Sequence, residues 1–212
     1  MELIATFVDL VLNLEVHLGV LVREYGAWVY AILFAIIFAE TGLVVTPILP
    51  GDSLLFVAGA VAATGGLDVH LLVVSLIVAA VLGNTTNYAI GHWFGATFFR
   101  DRGSRWLNPE YLERTHAFYE KHGGMAVVIS RFVPIIRTYV PFVAGLGSMT
   151  PGRFTAYNVA GAIAWVASLA YAGYFFGNLP WVKENLSLII LAILVVSTIP
   201  VAVAALRARK PA

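Results

Sequence analysis

Apolar residues run along this chain in long blocks, and the lengths of these blocks predict its helices. A helix rises about 1.5 Å per residue, so it needs about 20 apolar residues to cross the roughly 30 Å hydrocarbon core of a membrane. Three blocks pass this test and predict membrane-spanning helices: Leu71 to Ile90, Phe154 to Phe176 and Leu186 to Ala205.

The N-terminal block, Leu3 to Val22, is interrupted by Asp9, Glu15 and His17. This pattern predicts either an amphipathic helix in the membrane interface or a packed, tilted span. The acidic start has no basic region before the apolar block, which argues against a cleaved signal peptide.

Two further apolar blocks are broken by polar residues and prolines. Ala27 to Ala39 is followed by Glu40 and a Pro/Gly turn, and then by a second short block from Ser53 to Ala63. Gly124 to Leu146 is interrupted in the same way by two arginines and two prolines. Short half-helices around polar backbone are typical of re-entrant hairpins, so the pattern predicts hairpins at 27–63 and 123–147.

A repeat links the two broken blocks. "FVAGA" (Phe56 to Ala60) returns as "FVAGL" (Phe142 to Leu146), and "YAIGHWFG" (Tyr88 to Gly95) returns as "YAGYFFG" (Tyr171 to Gly177) with one residue deleted. The predicted fold class is an all-α integral membrane protein, an inverted repeat of two re-entrant hairpins plus transmembrane helices. Its predicted parts are an N-terminal helix (1–24), a membrane domain (25–177) and a C-terminal helix with a basic tail (178–212).

Composition agrees with a membrane protein, since 60% of the residues are hydrophobic, 12% are charged and the mean hydropathy is +0.86. A net charge of +1 is too small to indicate nucleic-acid binding. The chain has no cysteine, so it has no disulfide or thiolate metal site, and no pattern predicts a metal or another cofactor.

Basic residues predict the orientation of the chain. A cytoplasmic C-terminus leaves only Arg23 and Lys183 outside and puts the other basic residues considered on the cytoplasmic side, as the positive-inside rule requires. Those residues are Arg100, Arg102, Arg105, Arg114, Lys121, Arg153, Arg207, Arg209 and Lys210.

Glu40, Asp52, Arg131 and Arg137 are ionisable residues inside the broken apolar blocks, where charge is expensive. They either form buried ion pairs that only lock the hairpins, or they are functional, and we favour function. Arginine keeps its charge and offers a planar fork of donors, so Arg131 and Arg137 are predicted to bind phosphate. A desolvated carboxylate can exchange protons, so Glu40, and secondly Asp52, are predicted to couple transport to protons.

Five neighbours are predicted to support this site: Pro50, Gly51, Ser53, Asn84 and Pro134. The "PGDS" turn also predicts that Asp52 or Ser53 caps the following half-helix. Asn84 and Asn87 are interpreted as polar contacts between helices rather than as ligands. The four charged residues are expected to form one central cluster.

Three segments together resemble the DedA family of bacterial inner-membrane proteins, which shares the VTT domain with eukaryotic lipid scramblases. They are "FAETGLVVTPILPGDSLLFVAGA", "GNTTNYAIGHWFG" and "SRFVPIIRTYVPFVAGLGSM", and the likeness runs from about Tyr25 to Phe176. The resemblance implies opposed re-entrant hairpins and proton-driven flipping of undecaprenyl phosphate or related anionic lipids. It also implies functional acids at Glu40 and Asp52 and functional arginines at Arg131 and Arg137. Here Asn84 replaces the family's usual acid, and an amide cannot carry a proton.

The sequence thus predicts a flippase of the bacterial inner membrane, with an anionic polyprenyl phosphate or phospholipid and protons as partners. Two alternatives use the same residues: a small-ion or proton antiporter, and an energy-independent phospholipid scramblase. A lipid phosphatase would need a suitably placed histidine, and none follows His122, so no enzyme activity or catalytic residue is predicted. The pattern is also compatible with a homo-oligomer.

Overall fold

The computed structural model of the chain describes residues 14–43, 51–98, 124–147 and 149–185, together with residues 188, 189 and 192. These residues form helices joined by short turns, and none of them lies in a β-strand. The all-helical part of the predicted fold class is therefore confirmed.

The helices are numbered in chain order within the described ranges. They are α1 (Leu14–Tyr25), α2 (Trp28–Gly42), α3 (Gly51–Ala62), α4 (Val69–Phe98), α5 (Pro134–Leu146), α6 (Pro151–Phe176) and α7 (Pro180–Glu184). Residues 124–130, which precede α5, are also helical.

Two of these helices are long and apolar enough to cross a membrane, namely Val69–Phe94 of α4 and the whole of α6. Each contains 26 residues, or about 39 Å of helix, which exceeds the roughly 30 Å hydrocarbon core. The predictions for Leu71 to Ile90 and Phe154 to Phe176 are confirmed as long apolar helices. The third predicted span, Leu186 to Ala205, lies almost entirely outside the described residues.

Helices α2 and α3 are apolar but too short to cross a membrane. They contain 15 and 12 residues, which correspond to about 22 Å and 18 Å of helix. The prediction of two short apolar helices is confirmed, and their lengths agree with pieces that reach only part of the way across. The connection between them, with Pro47 and Pro50, lies outside the described residues, so the re-entrant path stays a prediction.

A tight turn separates the two halves of the second broken block. The helix at 124–130 ends at a turn over residues 131–133, and α5 begins at Pro134. Val133 is extended, with φ −124° and ψ 102°, as the ring of a following proline requires. Proline is well suited to the first position of a helix because the missing N–H has no partner there in any case. Pro134 thus favours the start of α5 at this position.

The chain forms two compact units, and three of their boundaries fall inside described helices, namely α2, α4 and α6. The first unit contains Met1–Ile36, Ile48–Ile77 and Trp165–Ala212, and the second contains Ile37–Pro47 and Val78–Ala164. Each unit is described by itself below, and the predicted domain boundaries at 24 and 177 stay predictions.

In the first unit, α3 and α6 approach each other at two glycines. A Cβ added at Gly59 would overlap the carbonyl oxygen of Ala170, and one added at Gly173 would overlap that of Phe56. Glycine lets two helix backbones come this close, which is how helices in membranes gain packing energy. The repeated motif "FVAGA" therefore packs against "YAGYFFG".

The second unit contains the same contact between α5 and α4. A Cβ at Gly145 would overlap the carbonyl oxygen of Tyr88, and one at Gly91 would overlap that of Phe142. Each hairpin motif thus packs against the long-helix motif of the other repeat. The contacts pair Tyr88 with Ala170 and Gly91 with Gly173, and the spacing is three residues in both helices, so the packing aligns the two motifs without the one-residue deletion of the sequence comparison. The sequence comparison matched Tyr88 with Tyr171, whereas the close helix packing constrains the glycines Gly91 and Gly173.

Tyr88 also joins three elements of the second unit. Its ring stacks on Phe154 with centroids 4.2 Å apart, and its hydroxyl donates to the carbonyl oxygen of Met149. Val127 and Ala144 complete this buried cluster. Helices α4, α5 and α6 are therefore fixed against one another around Tyr88.

The glycine contact can be tested on α6 with one matched pair of substitutions. Gly173→Ala should lower the free energy of unfolding by roughly 1–3 kcal/mol, because the added methyl group has no room. Gly152→Ala makes the same change where nothing lies within 4 Å, so it should leave stability unchanged or slightly higher. Thermal unfolding in detergent measures both, and equal effects would contradict the packing argument.

Candidate functional site

The second unit contains a buried ion pair between Glu40 and Arg137. Glu40 lies near the end of α2 and Arg137 lies in the first turn of α5, and a guanidinium Nη2 donates to a Glu40 carboxylate oxygen. The two residues are only 0% and 4% exposed. Removing two charges from water is costly unless they meet at close range, so this contact accounts for the presence of both residues in apolar segments.

Arg131, in the turn before α5, is buried and has its own partners in the same unit. Its Nη2 donates to Oδ1 of Asn158 at 2.5 Å and to the carbonyl oxygen of Ala80 at 3.2 Å. The charges of Arg131 and Arg137 also act on each other, so the two predicted phosphate ligands belong to one polar region. The structure thus brings together three of the four predicted charged residues.

Asn158 is a site residue that the sequence reasoning missed. While its Oδ1 accepts from Arg131, its Nδ2 donates to the carbonyl oxygen of Val81 at 3.0 Å and lies 3.3 Å from Oγ1 of Thr85. Because the amide oxygen accepts on one side and the amide nitrogen donates on the other, only one of the two flipped orientations of the amide satisfies both hydrogen bonds. The signal available in the sequence was an amide within the apolar block Phe154 to Phe176, because a polar side chain in such a block usually has a partner.

Asn87 joins the elements on both sides of the ion pair. Its Nδ2 donates to the carbonyl oxygen of Thr138 at 2.7 Å and lies 3.4 Å from that of Thr41. The interpretation of Asn87 as a polar contact between helices is confirmed. Asn84 is also buried, but its Nδ2 has no hydrogen-bond partner in the described part of the chain.

The fourth predicted residue, Asp52, belongs to the first unit and has a partner that the sequence did not indicate. Its Oδ1 accepts from the indole Nε1 of Trp165 at 2.8 Å, and both side chains are buried. Asp52 lies in the first turn of α3, where the helix dipole favours a negative charge. Trp165 is large and apolar and has one donor, so it can occupy an apolar core and still bind a carboxylate.

The supporting residues fall into three groups. Gly51 and Ser53 are buried at the start of α3, and Pro134 begins α5 between the two arginines. Pro50 lies outside the described residues. Because Asp52 belongs to a different unit from the other three charged residues, the predicted four-residue cluster stays a prediction.

A cavity of about 800 Å³ lies elsewhere in the first unit. It is bounded mainly by α1 and by the segment that follows α3, with Glu15 and Arg23 among its lining residues. None of the predicted site residues lines it, so this cavity does not enter the argument on the charged site.

Comparison with known proteins supports the resemblance. The profile of the VTT domain matches residues 49–175, a range that covers Asp52, both arginines and both copies of the glycine contact. The chain belongs to the DedA family. It is a membrane protein, and the two long apolar helices agree with that class.

Relatives extend the likeness beyond the VTT domain. The chain is 53% identical to Protein DedA of Escherichia coli K12 over 214 aligned positions, which cover 100% of this chain and 98% of the relative. It is 42% identical to the uncharacterized membrane protein Rv0364 of Mycobacterium tuberculosis over 86% of this chain and 81% of the relative. It is 37% identical to the inner membrane protein YqjA of E. coli K12 over 71% of this chain and 69% of the relative. No solved structure matches the chain with significance.

The Asp52–Trp165 hydrogen bond can be measured with a double-mutant cycle. Trp165→Phe removes the indole donor and Asp52→Leu removes the acceptor, so the cycle isolates the bond from the packing effect of each change. We expect a coupling of about 1.5–3 kcal/mol in the free energy of unfolding, as for hydrogen bonds to charged groups. Trp181→Phe, at a 69% exposed tryptophan, serves as the control. Additive effects of the two substitutions would contradict the assignment.

Proposed function

We propose that the protein moves an anionic lipid carrier, undecaprenyl phosphate or a closely related lipid phosphate, across the bacterial inner membrane and couples this movement to the proton gradient. The observation that carries the proposal is the buried Glu40–Arg137 ion pair with Arg131 in the same unit. The name of the inner membrane protein YqjA supports the location. The orientation with a cytoplasmic C-terminus rests on the positive-inside count.

The two arginines suit the phosphate group of such a lipid. Both guanidinium groups are buried in the same unit, where an anionic ligand would offset the cost of burying their positive charge. A phosphate offers several acceptor oxygens to the planar guanidinium fork. The tail of the lipid can remain among the acyl chains, so the protein needs to shelter only the headgroup.

Glu40 is suited to couple lipid binding to protons. While ionised, it occupies the Arg137 guanidinium as an internal anion and competes with a lipid phosphate. Once protonated, it loses its charge and leaves Arg137 available to the ligand. Protons and the anionic lipid would therefore promote each other's binding, and this linkage is reciprocal. Asp52 is the second candidate carrier, held by Trp165 in the first unit.

The arginine prediction is tested by native mass spectrometry of the purified protein, first for co-purified polyprenyl phosphate and then with added lipid. Arg137→Ala should abolish binding, and Arg137→Lys should restore it only in part, because an ammonium group cannot reproduce the fork. Arg153→Ala, at an exposed arginine of the same unit, should bind like the parent.

Full binding by both Arg131→Ala and Arg137→Ala would make the arginines structural and would end the proposal. The ion pair itself predicts an asymmetry between these variants, since Arg137→Ala also leaves the Glu40 carboxylate without its guanidinium partner. Arg137→Ala should therefore lose more stability than the double variant Glu40→Gln/Arg137→Ala, by roughly 1–3 kcal/mol. Thermal unfolding of both variants checks that binding losses are not unfolding.

The Glu40 prediction uses a variant that imitates the protonated state. Glu40→Gln should keep lipid binding, because Arg137 is no longer neutralised, but it should lose transport driven by a pH gradient. The measurement follows the accessibility of a labelled polyprenyl phosphate in proteoliposomes with and without an imposed gradient. Glu40→Asp keeps a titrating group and should retain part of the activity.

The same vesicles separate the alternative functions. A scramblase would equilibrate lipids equally well without a gradient and in Glu40→Gln, whereas an antiporter would move protons against another ion without any lipid. If Glu40→Gln still responds to the gradient like the parent, Glu40 is not the proton carrier and Asp52 is tested next.

A further inference from the structure

Asn84 has a buried polar group that the described interactions leave unexplained. The residue is 1% exposed, and its Nδ2 has no hydrogen-bond partner in the described part of the chain. A buried N–H group without a partner costs free energy, so native proteins rarely retain one unless it serves another purpose. The side-chain nitrogen of the neighbouring Asn87, by contrast, donates to Thr138, although Oδ1 of Asn87 has no partner in the described part of the chain.

The position of Asn84 on α4 lies between the contacts of the two arginines. Ala80, Asn84 and Asn87 are four and three residues apart, so they share one face of the helix, and all three are buried. The carbonyl oxygen of Ala80 accepts from Arg131. Asn87 donates to Thr138, the residue directly after Arg137. Asn84 therefore lies between the turn of α4 that binds Arg131 and the turn that holds the backbone beside Arg137.

The end of α2 packs on the turn of α4 that carries Asn84. A Cβ added at Gly42 would come within 3.2 Å of the Cα of Gly83, and one added at Gly83 would overlap the side chain of Thr41. Gly83 precedes Asn84, and Thr41 follows Glu40. The turn that carries Asn84 therefore lies directly against the segment that carries the ion-paired carboxylate.

We propose that the Asn84 side-chain amide donates a hydrogen bond to a phosphate oxygen of the ligand held by Arg131 and Arg137. This inference rests on the proposed function and names one more group that contacts the substrate. The ligand class is a phosphate monoester, carried by a lipid or free in solution. Binding would give Nδ2 the acceptor that the described part of the chain does not provide.

An amide differs from a third arginine in a useful way. It adds a donor to the site without adding charge, so it strengthens recognition of acceptor oxygens without adding a further cation to a buried region. It also donates at every pH, so its contribution does not depend on the protonation of Glu40. The arginines would then supply attraction for the anion, and Asn84 would help to orient the phosphate.

The test compares two asparagines on the same helix with farnesyl phosphate as the probe in detergent micelles. Asn84→Leu should weaken farnesyl phosphate binding about tenfold, a typical consequence of losing one hydrogen bond to a charged group. Its unfolding temperature without ligand should be unchanged or higher, because an unpartnered donor has been removed. Asn87→Leu should unfold at a lower temperature, because it loses hydrogen bonds that exist without ligand.

A second variant keeps the shape of the residue. Asn84→Asp replaces the donor by a negative charge and should weaken binding more than Asn84→Leu does. Asn178→Asp makes the same replacement in the first unit, where the amide donates to the carbonyl oxygen of Ala60, and it should bind farnesyl phosphate like the parent. Farnesol, which lacks the phosphate, should not bind detectably to the polar site in any variant.

Each outcome decides a different claim. Parental affinity in both Asn84 variants would overturn the inference and leave the proposed function intact. A loss of stability in Asn84→Leu equal to that in Asn87→Leu would make Asn84 structural. Absence of farnesyl phosphate binding by the parent would overturn both proposals. Displacement of farnesyl phosphate by inorganic phosphate at equal affinity would support a hydrogen bond from Asn84 to a phosphate group, but it would count against a lipid substrate.

Discussion

The buried pairing of Glu40 with Arg137 constrains the rest of the second unit. Either charge alone in an apolar segment would be strongly unfavourable, so the end of α2 and the start of α5 must meet wherever the unit is folded. Asn87 of α4 links the same two elements, because its amide lies against the carbonyl oxygens of Thr41 in α2 and Thr138 in α5. These are the residues that follow Glu40 and Arg137, so one side chain fixes the backbone on both sides of the pair.

The glycine contacts supply the rigidity that such a polar region needs. Apolar side chains gain nothing from leaving a lipid environment, so close backbone packing has to hold the helices together. Gly59 with Gly173, and Gly145 with Gly91, provide this packing in the same manner in each unit. In the second unit, the Asn87–Thr138 hydrogen bond therefore forms between two helices, α4 and α5, whose separation is set by backbone rather than by flexible side chains.

Much of the fold and part of the site could be predicted from the sequence. Block lengths gave the two long helices correctly, and the cost of charge in apolar segments singled out Glu40, Arg131 and Arg137, which the structure groups in one unit. Periodicity could not reveal partners distant along the chain. Arg131 and Asn158 are 27 residues apart and Asp52 and Trp165 are 113 apart, so only the folded packing identifies them. The repeat was aligned on its tyrosines because a match between residue types does not show which residues are in contact.

The partners of the charged residues differ in a way that suggests separate tasks. Asn158 holds Arg131 through an amide that does not titrate, so that contact persists whatever the proton concentration. Trp165 likewise offers Asp52 a permanent donor. The Glu40–Arg137 contact is different, because it joins a carboxylate to a guanidinium, and in the proposed function protonation of Glu40 removes the negative charge that faces Arg137. In the proposed transport cycle, Asn158 and Asn87 maintain the geometry, and Glu40 is the group whose charge decides whether Arg137 attracts an anion.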